Sequence, residues 1–189
     1  MPLMGRNPTR RLRRDKNVVA EGMPNVKLSR AVQADADALI DSNRKSAAYH
    51  LPWVKPFIDH EGFDAWYGRI LTGPNLGYIV REAEADTIIG VVNFSEIVWG
   101  MFRSAYLSYY GMVDWSRKGL MTEGVRCACR HAFDDLGLHR LEANIQPENV
   151  ASLALIKRVG FRKEGFSTRY LKISGSWRDH ERWALLADR

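Results

Sequence analysis

The sequence predicts a single α/β domain of about seven strands and four helices, in the order β-α-α-β-β-β-α-β-α-β-β. Its 189 residues suit one domain with one filled core, and a composition of 46% hydrophobic and 26% charged residues is ordinary for a globular protein. Hydrophobic residues recur at helical spacing in four segments, and strand-like patterns separate them. Three of the strands follow one another across short connections, which predicts a mostly antiparallel sheet.

The first third of the chain contains one predicted strand and two predicted helices. Residues 26–28 form the strand, and a helix follows to about residue 48 with Asp35 as its N-cap. Residues 49–57 form a loop that is rich in aromatic residues and prolines. The second helix is predicted over residues 62–71, because the Gly-Pro pair at 73–74 ends it.

Three strands and a helix are predicted in the middle of the chain. Alternating and β-branched residues place the strands at residues 77–81, 87–95 and 105–113. The helix that follows has one hydrophobic face and ends at Gly137, since glycine tolerates the left-handed backbone found after helices. That face consists of Met121, Val125, Ala128, Ala132 and Leu136.

The last third adds a strand, a helix and a hairpin. Residues 139–145 alternate as a strand does, Asn149 is placed to cap the fourth helix, and Gly160 closes that helix. Residues 166–173 and 177–186 form the predicted hairpin around a small turn. No internal repeat or linker divides the chain.

Most of the net charge of +6 belongs to the N-terminal segment, where residues 1–16 hold six cations and one acid. Residues 1–23 are therefore predicted to be a basic, disordered tail, and residues 24–189 to be the folded domain. The tail is interpreted as a solubilising extension, or as the product of a misassigned start ahead of Met23. An arm that contacts RNA or the ribosome is the alternative, although no aromatic residues alternate with the arginines to stack on bases.

Several classes of protein are excluded. No apolar run approaches the length of a membrane span, and no apolar block follows the N-terminal charges as it does in a secretory signal. Cys127 and Cys129 point to different sides of a helix, and the five histidines have no metal-ligand spacing. We expect free thiols in a reducing cytoplasm and no metal.

A turn with two cations and a glycine precedes the third helix. In residues 116–122, Arg117 and Lys118 stand directly before Gly119. Backbone amides at a helix start have no intrahelical partner and favour anions, and glycine lets a ligand approach closely. Neither a Walker loop nor a dinucleotide fingerprint is present, so the expected anion is a pyrophosphate held by a different fold. An ordinary exposed turn with solvated cations is the alternative.

Four longer motifs resemble one family. They are KGLM at 118–121, HRLEANIQPENVAS at 139–152, VGFRKEG at 159–165 and YLKISGSWRDH at 170–180. With the element order, they resemble the GNAT superfamily of acetyl-CoA-dependent N-acetyltransferases, and within it the Rim-type ribosomal-protein alanine N-acetyltransferases. The resemblance covers roughly residues 26–186. It implies a sheet splayed in a V and a turn of pattern Q/R-x-x-G-x-G/A that holds the CoA pyrophosphate, from which Ser116 and Met121 depart.

The resemblance also implies a set of cofactor-binding and catalytic residues. A bulge at Gly111 would direct the amide of Met112, or of a neighbour, at the thioester carbonyl, and Ser152 would serve the departing thiolate. A structural first-turn serine is the alternative for Ser152. The residues expected to bind acetyl-CoA are Met112, Val113, Arg117, Lys118, Gly119, Leu120, Met121, Thr122, Asn144, Asn149 and Ser152.

The general base and the acceptor wall are the least determined parts of the predicted site. Glu96 is the candidate base, and Tyr109, Tyr110 and His50 compete with it. Those four residues and Trp53 are expected to wall the acceptor site. An α-amine has a pKa near 8, so about a tenth of it is neutral at pH 7, whereas a lysine amine needs a stronger base. A site without an obvious base therefore favours an α-amine.

Three functions remain open at this point. The first is an N-acetyltransferase that acts on a protein N-terminus, and the second is an enzyme that acetylates a small-molecule amine. The third is a non-catalytic protein that binds acetyl-CoA and RNA. A polycationic acceptor is disfavoured, because the loops at 49–60 and 95–104 hold only Asp59 and Glu96 as acids. The predicted protein is a monomer or a homodimer.

Overall fold

Eight strands form one sheet, and four helices cover its two faces. The computed structural model describes residues 18–23 and 25–187. The strands are β1 (Val18–Met23), β2 (Val26–Arg30), β3 (Leu76–Glu82), β4 (Ile88–Val98), β5 (Ser104–Gly111), β6 (Arg140–Ile145), β7 (Arg162–Ile173) and β8 (Ser176–Leu186). The helices are α1 (Ala36–His50), α2 (His60–Thr72), α3 (Leu120–Asp134) and α4 (Val150–Val159).

The strand order in the sheet is β1-β2-β3-β4-β5-β6-β8-β7. Every neighbouring pair is antiparallel except β5 and β6, which are parallel because α3 crosses between them. The predicted fold class, a mostly antiparallel sheet with four helices, is confirmed. Among the described residues, no helix is both long and apolar enough to cross a membrane.

The strand β1 was not predicted. It pairs with β2 from Val18↔Ser29 to Met23↔Val26, so the last six residues of the predicted tail belong to the sheet. The basic residues just before it dominate the composition of the segment, and they hide the β-branched pair Val18-Val19. Residues 1–17, which carry the predicted arginine-rich part of the tail, lie outside the described residues.

Two hydrophobic cores lie on opposite faces of the sheet. On one face α1 and α2 pack on β3 and β4, with Leu39, Phe63 and Val91 fully buried. On the other face α3 and α4 pack on the whole middle of the sheet, with Val125 and Ile156 fully buried. Helix α3 approaches closely, since a Cβ added at Gly124 would lie 2.5 Å from Val80 Cγ1. The sheet is therefore a thin layer between two filled cores.

Three local predictions need correction. Asp35 stands at the start of α1 but does not cap it, because its carboxylate accepts from Val32 N and pairs with Arg81. β5 ends at Gly111, since residues 113–115 form a 3-10 turn. The bulge predicted at Gly111 is instead in β4 at Glu96, where the β4–β5 register shifts and φ is 49°.

Candidate active site

Strands β5 and β6 are paired at one end and apart at the other. Their parallel pairing runs from Ser104↔Arg140 to Tyr106↔Glu142. Beyond that point β5 continues beside β4 as far as Gly111, while β6 continues beside β8. The middle of the sheet therefore contains an opening, as the V-shaped sheet of the resembled family implies.

Alternate amides of β5 face this opening. Met112 N–H donates to Ile89 O on β4 at 2.8 Å, and Val113 N–H donates to Ser46 Oγ at 3.1 Å. The amide of Met112, predicted as the oxyanion donor, is therefore already bonded and turned the other way. Successive residues of a strand direct their amides to opposite edges, so those of Tyr109 and Gly111 face the opening.

The turn before α3 leaves its backbone donors open. Gly119 stands at the N-cap in the left-handed region with φ 79°, and no side chain caps the helix. Arg117 is also left-handed, with φ 61°. A Cβ built on Gly119 would meet no atom within 4 Å, so the space before it is open. The exposed Lys118 ammonium lies 4.8 Å from the centre of the Trp115 ring.

Met121 explains why this turn departs from the family pattern at its last position. Its side chain is directed into the sheet, where a Cβ added at Gly90 would lie 2.6 Å from Met121 Sδ. The same Cβ would lie 2.5 Å from Tyr110 O. Glycine at position 90 thus makes room for methionine at position 121, and the Met side chain stays clear of the open amides.

Tyr109 and Ser152 are in contact at the other side of the opening. The Tyr109 hydroxyl lies 2.8 Å from Ser152 Oγ and 3.2 Å from Ser152 O. Ser152 N–H donates to Asn149 Oδ1 at 3.1 Å, so Asn149 caps α4 as predicted. Burial raises the pKa of Tyr109 above its ordinary value, so its hydroxyl is neutral at physiological pH.

Three further residues predicted to bind the cofactor lie on β6 and in the first turn of α3. Asn144 lies on β6, and its side-chain oxygen is buried without a hydrogen bond among the described residues. Leu120 and Thr122 lie in the first turn of α3, where Thr122 N–H donates to Gly119 O at 2.9 Å. An unsatisfied buried acceptor such as the Asn144 oxygen is a candidate partner for an amide of a bound ligand.

His50 contacts the end of β5 from the end of α1, and it does not line the acceptor site as predicted. It is buried at the end of α1, and its Nε2 donates to Gly111 O at 2.9 Å. Its ring packs edge-on against Tyr110, with 5.1 Å between the ring centres. Burial lowers the pKa of His50, which makes it the neutral form with the proton on Nε2. His50 therefore positions the end of β5 as a neutral hydrogen-bond donor.

Two adjoining cavities form a groove between α2 and the strands β4 and β5. Their volumes are about 430 and 270 Å³. Both are lined by Trp66, Arg69, Asn93 and Ser108. Tyr109 and Tyr110 line the larger cavity, so the groove meets the β5–β6 opening there. Trp53, predicted as a wall residue, is half-buried and lines neither cavity.

Glu96, the predicted base, lies at the far end of the groove. It is exposed, lines only the smaller cavity, and its backbone N–H donates to Asn75 Oδ1. Its neighbour Ser95 pairs with Tyr106, five residues before Gly111 on β5. At about 3.3 Å per residue this places Glu96 roughly 16 Å from the end of β5. Glu96 therefore lies near the level at which β5 and β6 part and far from Gly111 along the groove, and its part as the general base stays a prediction.

Sequence reasoning missed the residues that the two cavities share. Trp66 Nε1 donates to Asn93 Oδ1 at 3.0 Å, a contact between α2 and β4 that no local pattern reveals. Ser108 could have been found, because the alternation of β5 puts it on one face with Tyr106 and Tyr110. Within the described part of the chain, no three His, Cys, Asp or Glu side chains are grouped so that they could hold a metal ion.

The acetyltransferase (GNAT) domain model of protein families matches residues 25–162. The chain belongs to the GNAT acetyltransferase family. Its predicted superfamily is thereby confirmed, and a GNAT acetyltransferase is an acyltransferase. The features described above therefore belong to a GNAT protein: its helix order, its parted parallel strands and the uncapped start of α3.

Two GNAT relatives and one solved structure illustrate the similarity. The probable N-acetyltransferase YjcK of Bacillus subtilis is 38% identical over 107 residues, 57% of this chain and 59% of that protein. The [ribosomal protein uS5]-alanine N-acetyltransferase of Escherichia coli is 36% identical over 160 residues, 80% of this chain and 82% of that protein. Mycobacterium smegmatis RimJ in complex with CoA-disulfide is 26% identical, with a TM-score of 0.78 over 86% of this chain and 82% of that one. The predicted likeness to the ribosomal-protein alanine branch is confirmed.

Proposed function

We propose that this GNAT acetyltransferase transfers the acetyl group of acetyl-CoA to the N-terminal α-amine of a protein. The observation that carries the proposal is the parting of β5 from β6 after Tyr106, with open backbone donors at its edge. The similarity to an enzyme named for ribosomal protein uS5 supports a protein acceptor. A ribosomal protein with a small first residue is therefore the acceptor class we propose.

The residues around the opening fit acetyl-CoA. The start of α3 offers backbone amides without a side-chain cap, and Arg117 and Lys118 add two cations there, which suits a pyrophosphate. The buried Asn144 oxygen lacks a partner and suits an amide of the pantetheine arm. The relative RimJ was solved with CoA-disulfide, which supports the same ligand class.

The chain's groups divide the work of the transfer. The amine nitrogen bonds to the acetyl carbonyl carbon, the carbon–sulfur bond breaks so that CoA leaves as a thiolate, and the proton that the amine loses balances the one that this thiolate takes up. The amides of Tyr109 and Gly111 face the opening and suit the negative charge that develops on the carbonyl oxygen. The Ser152 hydroxyl, held by Tyr109 at 2.8 Å, suits a hydrogen bond to the departing sulfur.

The acceptor groove favours an α-amine over a polyamine. Among the described residues, Lys55 and Arg69 line it as cations and Glu96 is the one acid. A polycation would lack carboxylates to bind there. No carboxylate lines the larger cavity, where the amine would react, and an α-amine with a pKa near 8 needs the least help to lose its proton.

The test is acetyl-CoA turnover with three acceptors, followed by thiol release and product mass. The acceptors are a peptide that begins with alanine or serine, the same peptide blocked at its N-terminus with an internal lysine, and a polyamine. Acetylation of the free N-terminus alone is expected. Turnover with the polyamine or the lysine alone would contradict the protein N-terminus. Binding of acetyl-CoA without turnover of any acceptor would favour a non-catalytic protein.

The N-terminal tail is proposed to be an accessory to this domain. A chain without residues 1–16 is expected to keep its turnover with the peptide, because those residues precede the GNAT domain match, which begins at residue 25. Loss of turnover on deletion would give the tail a direct part in catalysis. Contact of the tail with RNA stays a prediction.

A further inference from the structure

The acceptor groove carries three charged side chains without charged partners. Arg69 lines both cavities, Lys55 lines only the larger and Glu96 only the smaller. None of the three forms an ion pair with another described residue. Two arginines of the sheet are used otherwise, since Arg81 is paired with Asp35 and Arg140 with Glu142 and Glu164. Unpaired charges of opposite sign along one groove are suited to an occupant that brings their partners.

The β4–β5 ladder fixes the order of these charges along the groove. Tyr110 pairs with Val91, Ser108 with Asn93, and Tyr106 with Ser95, next to Glu96. Arg69 accompanies Asn93 and Ser108 in both cavities, so it belongs to the middle rung. The β5–β6 opening begins after Tyr106 and extends along β5 to Gly111, and the reacting amine is placed at its Tyr110 end, beside the amides of Tyr109 and Gly111 that face the opening.

An extended acceptor chain has nearly the same rise per residue as the strand beneath it. Both rise about 3.3 Å per residue, so the rungs of Tyr110, Ser108 and Tyr106 are about two residues apart for strand and acceptor alike. With its first residue at the Tyr110 rung, the third lies at the Ser108 rung beside Arg69. The fifth then lies at the Tyr106 rung beside Glu96.

We propose that the groove selects acceptor N-termini by charge, with an acidic side chain at the third residue facing Arg69 and a basic one at the fifth facing Glu96. This inference rests on the proposed function, since it requires a peptide-like acceptor. The energetic basis is a charge-assisted hydrogen bond at each rung, made in a groove whose walls include Trp66 and Phe57. Because both charges are partly solvated, each match is worth a modest factor in kcat/KM.

The experiment uses three peptides that share an N-terminal alanine and differ only at two positions. One has Glu at the third and Lys at the fifth position, one has Gln at both, and one has Lys at the third and Glu at the fifth. For the wild-type chain, kcat/KM is expected to fall in that order, by about fivefold at each step. A free peptide's own amine pKa shifts slightly with such changes, so the wild-type order alone is not decisive.

The decisive variant reverses the two charges of the groove. In Arg69→Glu combined with Glu96→Lys, the preference is expected to invert, so that the peptide with Lys third and Glu fifth becomes the best. The control is Lys45→Glu, an exposed cation on α1 that lines neither cavity, and it is expected to keep the wild-type order. Thermal unfolding and acetyl-CoA affinity report whether each variant is folded.

The outcomes separate the two proposals. Equal kcat/KM for all three peptides, or the same order in the wild type and the charge reversal, overturns the charge selection and leaves the acetylation of N-termini standing. An order that Lys45→Glu changes as much as the charge reversal also overturns it. No turnover with any peptide, alongside turnover of a polyamine, overturns the proposed function and this inference together.

Discussion

The four described helices of this protein begin in three different ways. α2 and α4 each begin with a side chain that accepts from the first turn, Asp59 from Gly62 N at 2.8 Å and Asn149 from Ser152 N at 3.1 Å. α1 continues from a 3-10 turn. α3 begins at a left-handed glycine without a side-chain cap, and the two exposed cations Arg117 and Lys118 precede it. The helix whose start is left open is therefore the one that the two exposed cations precede.

The difference teaches where this chain reserves donors for a ligand. Capping an exposed helix start contributes about 1 kcal/mol, and the chain supplies such caps at α2 and α4. At α3 the contribution is forgone, and positive charge is added where the helix dipole is already positive. That combination is unfavourable for the isolated chain and favourable once an anion lies at the turn.

The largest expected effect comes from giving α3 a cap of its own. Gly119→Asp would place a carboxylate where the pyrophosphate is proposed to lie, occupying the amides and repelling the phosphates. We expect acetyl-CoA to bind about a hundredfold more weakly, since like charges near 4 Å repel by a few kcal/mol at a protein surface. Isothermal titration with CoA measures the loss.

Gly119→Asn is the matched control for this variant. Asparagine has the same shape and tolerates a left-handed backbone, but it carries no charge. We expect it to weaken CoA binding by no more than about tenfold, the difference from Asp being the electrostatic part. Equal affinities for the Asp and Asn variants would show that charge at this turn does not govern binding.

A smaller effect distinguishes the two capped helices from each other. Asp59→Ala and Asn149→Ala each remove one cap and are each expected to lower the free energy of unfolding by about 1 kcal/mol. Only Asn149 also holds Ser152, through the bond from Ser152 N to its side chain. Asn149→Ala is therefore expected to lower kcat about tenfold as well, whereas Asp59→Ala leaves kcat unchanged.

Urea unfolding and steady-state rates at saturating acetyl-CoA measure both consequences. The double variant Asn149→Ala with Ser152→Ala adds a further check. If the cap acts through Ser152, the double variant is no slower than Ser152→Ala alone. Additive losses in kcat would instead give Asn149 a separate part in the reaction.

Local patterns were enough to predict most of the fold and the local geometry at the starts of α3 and α4. The cap at Asn149, the glycine turn at Gly119 and the alternation of β5 each depend on neighbours in sequence, and each is found in the structure. The motif around Ser152 led to its prediction as a site residue, although its contact with Tyr109 could not be foreseen. Strand β1, which pairs with β2, was not predicted, because the charged residues before it dominate the composition of that part of the sequence.

The acceptor side of the site was not predicted correctly, because its arrangement depends on contacts between distant parts of the chain. Whether the amide of Met112 or of Gly111 faces the opening depends on the parity of the β4–β5 register, which the bond to Ile89 O reveals. The sequence predicts a strand that ends near the cleft just before Glu96. The register instead pairs the neighbouring Ser95 with Tyr106, five residues before the end of β5 at Gly111. Register and the packing of α2 are tertiary properties, so periodicity within one segment does not determine them.

The smallest expected effect is a change in acid sensitivity, and it concerns a backbone acceptor at the end of β5 that the chain satisfies itself. His50 donates to Gly111 O, and burial lowers its pKa in the folded protein below the ordinary value of 6.5. The unfolded chain therefore binds a proton at a higher pH than the folded one. The stability contributed by neutral His50 is full above pH 6.5 and is lost as the pH falls from there through the lower folded pKa.

Two variants separate the hydrogen bond of His50 from its titration. His50→Gln keeps a donor for Gly111 O without a group that titrates, so we expect near-wild-type stability at pH 7.5 and a smaller loss than wild type at pH 5.5. His50→Phe keeps a ring but leaves the carbonyl unpaired, so it is expected to lose roughly 1–2 kcal/mol at both pH values. Urea unfolding at the two pH values measures these differences. If His50→Gln lost as much stability on acidification as the wild type, the acid sensitivity would belong to other groups, and His50 would serve only as a hydrogen-bond donor to the end of β5.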